Sequence, residues 1–296
     1  MKRRLLFAVQ IIGTLVLVGI AVAALDLTAA LDTLLSTRPD LALLGFGLLL
    51  VGQVVSALRW RELAAHRGVP GSASWFGRVY LRGCFYNSVL PTGLGGDAVR
   101  VMLLRKVAST RAATRSVLTD RMLGFAALAV TAAVVAPFTP YLRLEGPGAA
   151  ALATSLVLAT AVAVLVLVRR APAWVLRTGA WTVAYEVIWF AGVWFLALAV
   201  GLAVPLVAVP VVVLIVGVAL ALPLSIGGTG AREGAFVLAL APLGFQPEAA
   251  VALGVLFGLA LAAVGLLGAL VPVSADEPHR ISQVDPPIGF AAEVAR

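Results

Sequence analysis

Long apolar runs separated by short polar connections constrain this chain more than any other feature. The runs Leu5 to Leu25, Leu41 to Leu58, Met122 to Phe138, Ala149 to Val168, Gly179 to Val204, Leu206 to Leu224 and Ala249 to Val273 each approach the roughly 20 residues with which an α-helix crosses a bilayer. A bilayer core offers no water to backbone N–H and C=O groups, so a spanning segment must satisfy them internally, as a helix does. The expected fold class is therefore all-α, a polytopic transmembrane helical bundle. Charged residues are 12% of the chain and hydrophobic ones 61%, with a mean hydropathy of +1.05, whereas soluble domains carry about 25% charge. The bundle is expected to fill residues 1–273, and a polar tail rich in proline, 274–296, is expected to be disordered. Met1-Lys2-Arg3-Arg4 with Leu5 to Leu25 reads as a retained first span rather than a cleaved signal peptide, since the apolar run is long for a signal.

Two stretches, Trp75 to Val89 and Gly234 to Leu243, are too short or too polar to cross alone. Both read as re-entrant or broken half-helices, which a membrane tolerates where the backbone is buried in protein or faces water. Each borders one copy of a repeated phrase. Leu90-Pro91-Thr92-Gly93-Leu94-Gly95-Gly96-Asp97-Ala98-Val99-Arg100 returns as Leu222-Pro223-Leu224-Ser225-Ile226-Gly227-Gly228-Thr229-Gly230-Ala231-Arg232. Leu-Pro, Gly-Gly and Arg recur at the same spacing. Matched helix-breaking segments in two halves of a membrane protein point to a shared substrate site between internal repeats.

The net charge of +8 comes from basic residues in connections beside apolar runs, where it sets orientation rather than signalling nucleic acid. Lys2, Arg3 and Arg4 precede the first run, a dense series lies between Arg59 and Arg121, and Arg169, Arg170 and Arg177 follow the fourth; the alternate connections hold Arg38 and Arg143. The N-terminus and the first copy of the phrase are thus expected on the cytoplasmic side. Four spans then separate the copies, which puts the second on the same side, unless one half-helix counts as a span and the repeat is inverted. The sequence leaves both topologies open.

The repeated phrase carries the chemistry. Pro ends a helix, Gly-Gly gives a turn, and a new helix begins whose first turn holds Arg100 or Arg232. Free N–H groups at a helix start, glycine that permits close approach, and a forked guanidinium together suit an anion such as a lipid phosphate. The bland alternative is that the glycines only let helices pack. Asp97 and Glu233 flank the copies as helix caps or arginine partners. Asn87 precedes the breaking Pro91, where a capping role competes with ligand contact. Glu186 stands between apolar neighbours, facing either a cavity or, with Trp181, Tyr185 and Trp189, an interfacial belt. The candidate substrate-binding set is Asn87, Pro91, Gly95, Gly96, Asp97, Arg100, Glu186, Gly227, Gly228, Arg232 and Glu233. Between Asp97 and Arg121 the polar stretch reads as one helix with a solvated basic face. Cys84 is alone, and His66 and His279 have no cysteine cluster around them, so no metal or other cofactor is expected. No nucleotide-binding or hydrolase motif is present.

The pattern F-x-N-x-x-L-P-x-x-x-G-G-D-x-x-R from Phe85 to Arg100, then Asp120-Arg121, then G-G-x-G-x-R-E from Gly227 to Glu233, resembles the lysylphosphatidylglycerol synthase transmembrane family of flippase-like proteins over nearly the whole chain. The resemblance implies a bacterial plasma-membrane protein that moves a lipid between leaflets and is a transporter rather than an enzyme. It implies as ligand an anionic phospholipid, such as an aminoacylated phosphatidylglycerol, or an isoprenoid-phosphate conjugate, with a separate lipid-modifying enzyme as a partner. The alternative is a membrane-embedded transferase, or an accessory subunit, acting on polyprenyl-phosphate sugars or phospholipids.

Overall fold

Proline and serine mark where the long helices begin. The computed structural model describes residues 27–69, 71–90, 95–142, 171–222 and 225–273, with scattered positions between 154 and 169. After a short helix α1 (Leu27–Leu35), α2 (Pro39–Ala65) opens on a proline, whose missing N–H costs nothing in a first turn. In α3 (Ala73–Val89) the Ser72 hydroxyl accepts from the Trp75 N–H at 3.0 Å, and in α5 (Thr110–Val135) Ser109 accepts from Ala112 at 3.2 Å. Between them lies α4 (Gly95–Leu104). The second part comprises α6 (Ala173–Ala199), α7 (Val209–Ala221), α8 (Ala231–Leu240) and α9 (Pro247–Leu270).

Among the described residues, Pro39–Ala65, Thr110–Phe138, Ala173–Ala199 and Pro247–Leu270 are long and apolar enough to cross a membrane. The all-α membrane bundle expected from the sequence is thus the fold. The expected first span, most of Ala149 to Val168, Pro91 and the tail lie outside the described residues.

Two expectations change. The run Leu206 to Leu224 is not a full span: a 3-10 turn, Leu206–Ala208, leads into an α7 of only 13 residues. At 1.5 Å per residue that helix covers about 20 Å of a core about 30 Å thick. The polar stretch Asp97 to Arg121 is not one helix either. α4 stops at Leu104, and the Ser109 cap starts α5 afresh.

With α7 shortened, the two halves acquire the same plan. α3 and α4 form a helical hairpin broken at the first copy of the phrase, and α7 and α8 form one broken at the second. Each hairpin stands between two long helices, α2 and α5 in the first half, α6 and α9 in the second. α2 and α6 pack antiparallel: the His66 ring stacks on Trp174 with centroids 3.8 Å apart at one end, and the Arg38 N–H donates to the Ala199 carbonyl at 2.9 Å at the other. The base of the first hairpin is buried at the C-terminal end of α2, where Trp60, Ala64, Trp75, Phe76 and Leu104 form one cluster. The base of the second is buried at the C-terminal end of α6, with Val193, Leu196, Val209, Val212 and Leu240. Because α2 and α6 run oppositely, the hairpins enter from opposite ends of the bundle. The repeat is inverted, and α3 against α9 is mirrored by α7 against α5.

α9 ties the halves together through a face of glycines. A Cβ at Gly254 would stand 2.9 Å from the Glu233 Cα, and one at Gly265 would stand 2.7 Å from the Ser88 hydroxyl. At Gly258 it would collide with the Arg232 guanidinium, and at Gly268 with the Leu81 carbonyl. Close backbone approach of this kind is the usual basis of helix association in lipid. Arg82 then donates to the Val271 carbonyl at 2.6 Å, satisfying an orphan group at the end of α9.

Candidate functional site

The tips of the two hairpins meet inside the bundle, where the Gly227 Cα side faces the Ser88 carbonyl with room for a Cβ only at 3.1 Å. Beside this meeting point is a cavity of about 750 Å³. Its walls bring together Asn87, Asp97, Arg100, Glu186, Gly227, Gly228, Arg232 and Glu233, all from the sequence-derived set. Gly95 and Gly96 stand behind that wall. A Cβ on Gly96 would run into the Gly83 carbonyl of α3, so glycine lets α4 lie directly on α3.

The first half supplies a network of buried charges. Asp120, on α5, accepts from Arg59 Nε through Oδ1 at 3.0 Å and from Arg100 Nη2 through Oδ2 at 2.8 Å. Asp97 accepts from Arg100 Nη1 at 3.2 Å and forms an ion pair with Arg121, Nε to Oδ2 at 2.5 Å. Arg100 also lies over Trp60 and Tyr80, its Cζ 3.9 and 4.5 Å from their ring centroids, which adds cation–π attraction away from water. The Asp97 carboxylate thus serves two arginines of its own half.

The second half is simpler. Glu233 Oε1 accepts from Arg232 Nε and Nη2 at 3.1 and 2.5 Å, while Oε2 accepts from the Gly230 N–H at 2.6 Å, capping the start of α8. In the first half the Gly96 N–H likewise donates to Asn87 Oδ1 at 2.7 Å. These helix-start N–H groups are therefore engaged by the chain itself, and the anion chemistry of the site falls to the guanidinium groups. Arg100 stands in the second turn of α4, not the first, because Gly95 and Gly96 are already helical; Arg232 does stand in the first turn of α8.

Glu186 faces the cavity rather than an interfacial belt. It is buried on α6, with Oε2 accepting from the Thr131 hydroxyl of α5 at 2.8 Å and Oε1 without a hydrogen-bond partner. The rings of Tyr185 and Trp189 stack beside it and line the same space. Elsewhere in the basic stretch, Arg105, Lys106, Arg111 and Arg115 are exposed, as a solvated face requires.

Arg59 and Asp120 complete the site and lie outside the sequence-derived set. Arg59 follows the last apolar residue of its run and reads as a flanking charge, yet α2 continues to Ala65 and carries it into the bundle. Asp120 is the acid in an otherwise basic segment, the signal that could have marked it as a counter-ion. No cluster of three or more His, Cys, Asp or Glu side chains able to hold a metal occurs among the described residues.

No match was found among curated proteins or solved structures. The model of a family described as the lysylphosphatidylglycerol synthase TM region matches residues 5–177 and 167–269, which takes in both hairpins and every long helix around the cavity. With that match added to the paired hairpins and the motifs that break them, the chain belongs to the lysylphosphatidylglycerol synthase TM region family.

Proposed function

We propose that the protein translocates a phosphate-bearing lipid between the leaflets of a bacterial plasma membrane, with its N-terminus cytoplasmic. The observation that carries this reading is the cavity itself: a space of about 750 Å³ at the meeting of two oppositely inserted hairpins, with a buried arginine from each. That volume falls within the range of small-molecule sites, about 300–1,000 Å³. Apolar walls from Phe125, Leu128, Val213 and Leu261 adjoin the charged end, an arrangement suited to a headgroup that remains attached to acyl chains. Inverted repeats around a mid-bundle site also suit alternating access, in which one half rocks against the other. Membership in the family supports a lipid-handling role. An aminoacylated phosphatidylglycerol or an isoprenoid-phosphate conjugate fits the chemistry, and a lipid-modifying enzyme would supply or consume it.

A transferase reading needs Asp97 or Glu233 as a base. Both oxygens of Asp97 are held by arginines, and those of Glu233 by Arg232 and the Gly230 N–H, which is the reverse of a carboxylate ready to take a proton.

Reconstitution tests the proposal. Purified protein in liposomes containing fluorescent phosphatidylglycerol should expose inner-leaflet probe to an external quencher faster than protein-free vesicles do. Arg100→Ala and Arg232→Ala should stop the exchange, and so should Gly217→Trp, which fills the cavity from α7 without touching an ion pair. Turnover of a lipid into a new product without exchange would replace translocation by transfer. Neither activity would leave an accessory role.

A further inference from the structure

Four carboxylates line the shared cavity, Asp97, Asp120, Glu186 and Glu233. Among the described residues, Asp97, Asp120 and Glu233 are bonded to arginines, and Glu186 is bonded to none. Glu186 lies midway along α6 (Ala173–Ala199), a helix long and apolar enough to span, and is 9% exposed. Its Oε2 accepts from the Thr131 hydroxyl at 2.8 Å, while the buried Oε1 has no hydrogen-bond partner. An ionised carboxylate held by one neutral hydroxyl in the middle of a membrane is costly, and a proton on Oε1 removes that cost. Thr131 stands on α5 of the first half and Glu186 on α6 of the second, so their bond crosses the boundary that alternating access must rearrange.

The helices packed against α6 present few other charges to this carboxylate. From α2, Arg59 acts on Glu186 electrostatically without bonding to it, since Nε is committed to Asp120 and Nη2 lies 3.4 Å from the Ser56 hydroxyl. From α5 come Thr131 and, about three turns earlier, Asp120 and Arg121, which are paired with Arg59, Arg100 and Asp97. α7 has no titratable side chain, and that of α9 is Glu248, in its first turn and off the cavity wall. Tyr185 is the neighbour on α6 itself; Tyr80 and Cys84 of α3, Asp97 and Arg100 of α4, and Arg232 and Glu233 of α8 complete the titratable lining. An ionised Glu186 therefore offsets the field of Arg59, and a protonated one leaves that field whole.

We propose that Glu186 is a proton-binding site coupled to the lipid: it takes up a proton when an anionic headgroup enters the cavity, and the protein moves the two together. An ionised carboxylate repels an anion in the same water-poor space and weakens the pull of Arg59 on it, so proton and anion favour each other's binding, and the coupling is reciprocal. The proton comes from the aqueous side to which the cavity is open, rides on Oε1 and departs on the other side with release of the headgroup; the O–H bond is the one bond made and broken. The identity of the anion rests on the translocase reading, whereas the unpartnered carboxylate does not.

Calorimetric titration of the purified protein in detergent with dioleoyl phosphatidylglycerol, repeated in buffers of different ionisation enthalpy, counts the protons taken up. This probe is chosen because its phosphodiester stays ionised throughout the pH range used. Uptake should approach about one proton per lipid where it is greatest, and affinity should fall by up to about tenfold per pH unit as pH rises. Glu186→Gln, which does not titrate, should abolish the uptake and flatten the pH dependence, while Glu186→Asp, which does, should retain both. Absence of uptake by the wild type, or equal uptake by Glu186→Gln, would overturn the proposal. In liposomes, fluorescent phosphatidylglycerol should leave the inner leaflet several-fold faster when the lumen is more acidic than the outside, a response that a protonophore and Glu186→Gln should each remove. Proton uptake on binding without leaflet exchange would sink the translocase reading and leave the proton site standing. Exchange that ignores the pH gradient, with no uptake on binding, would remove the proton site and leave translocation standing.

Discussion

In the first hairpin Gly95 and Gly96 are helical, whereas in the second Gly227 and Gly228 turn through the left-handed region with φ of +60° and +77°. The same words of sequence thus fold differently. In the first copy Asn87 takes the Gly96 N–H and draws α4 onto α3, so the helix begins early and Arg100 projects from its second turn toward Asp120. In the second, Glu233 reaches back to the Gly230 N–H, the helix begins later, and Arg232 is neutralised by its own neighbour. The difference teaches that a repeated motif conserves where the chain breaks, while its surroundings decide what the arginine does. One copy is built into a five-member charge network and the other into a local pair.

The comparison can be broken most decisively on sidedness, where the outcome is all or none. In a Cys84→Ser background, Lys106→Cys marks the base of the first hairpin and Gln246→Cys the base of the second, both at exposed positions. A membrane-impermeant maleimide should label the two from opposite sides of sealed vesicles, with Lys106→Cys on the cytoplasmic side; labelling from one side would end the inverted-repeat description. Next in size is Asp120→Asn, which takes the carboxylate from buried Arg59 and leaves Arg100 with Asp97 alone. It should cost about 3–5 kcal/mol in thermal unfolding assays, the usual penalty for breaking a buried pair.

Smaller effects sharpen the contrast. Gly268→Ala should destabilise by about 1–3 kcal/mol, since its methyl meets the Leu81 backbone rather than a yielding side chain. Gly217→Ala is the mildest, within about 0.5 kcal/mol, because its Cβ would find Leu128 and Phe125 at ordinary contact, 3.8 and 3.9 Å.

The membrane bundle was legible because apolar length is a direct physical demand of the bilayer, and the hairpins were legible because Pro and Gly-Gly recur beside runs too short to span. The repeat's handedness was not. It turned on Leu206 to Leu224, whose hydropathy equals that of a span; Pro205 and the 3-10 turn after it shorten the helix, and hydropathy does not register that. The cavity gathers Arg100, Arg232, Glu186 and Asn87, which stood out as polar groups in apolar or glycine-rich settings. Arg59 did not stand out, since an arginine just beyond an apolar run looks like any flanking charge until helix α2 is seen to continue past it. Its partner Asp120 is far away in sequence, and a pairing of that kind leaves no local pattern.

The distance between those two partners bears on how the protein is made. Arg59 and Asp120 are 61 residues apart, so the ribosome releases the arginine well before its counter-ion exists. An unpaired arginine costs roughly 2.5–3.5 kcal/mol at the centre of an inserting helix, and placement near the C-terminal end of α2 lets it wait among the headgroups. Biogenesis of the first half therefore finishes only when α5 arrives, whereas Arg232 leaves the ribosome with Glu233 immediately behind it and needs no such interval.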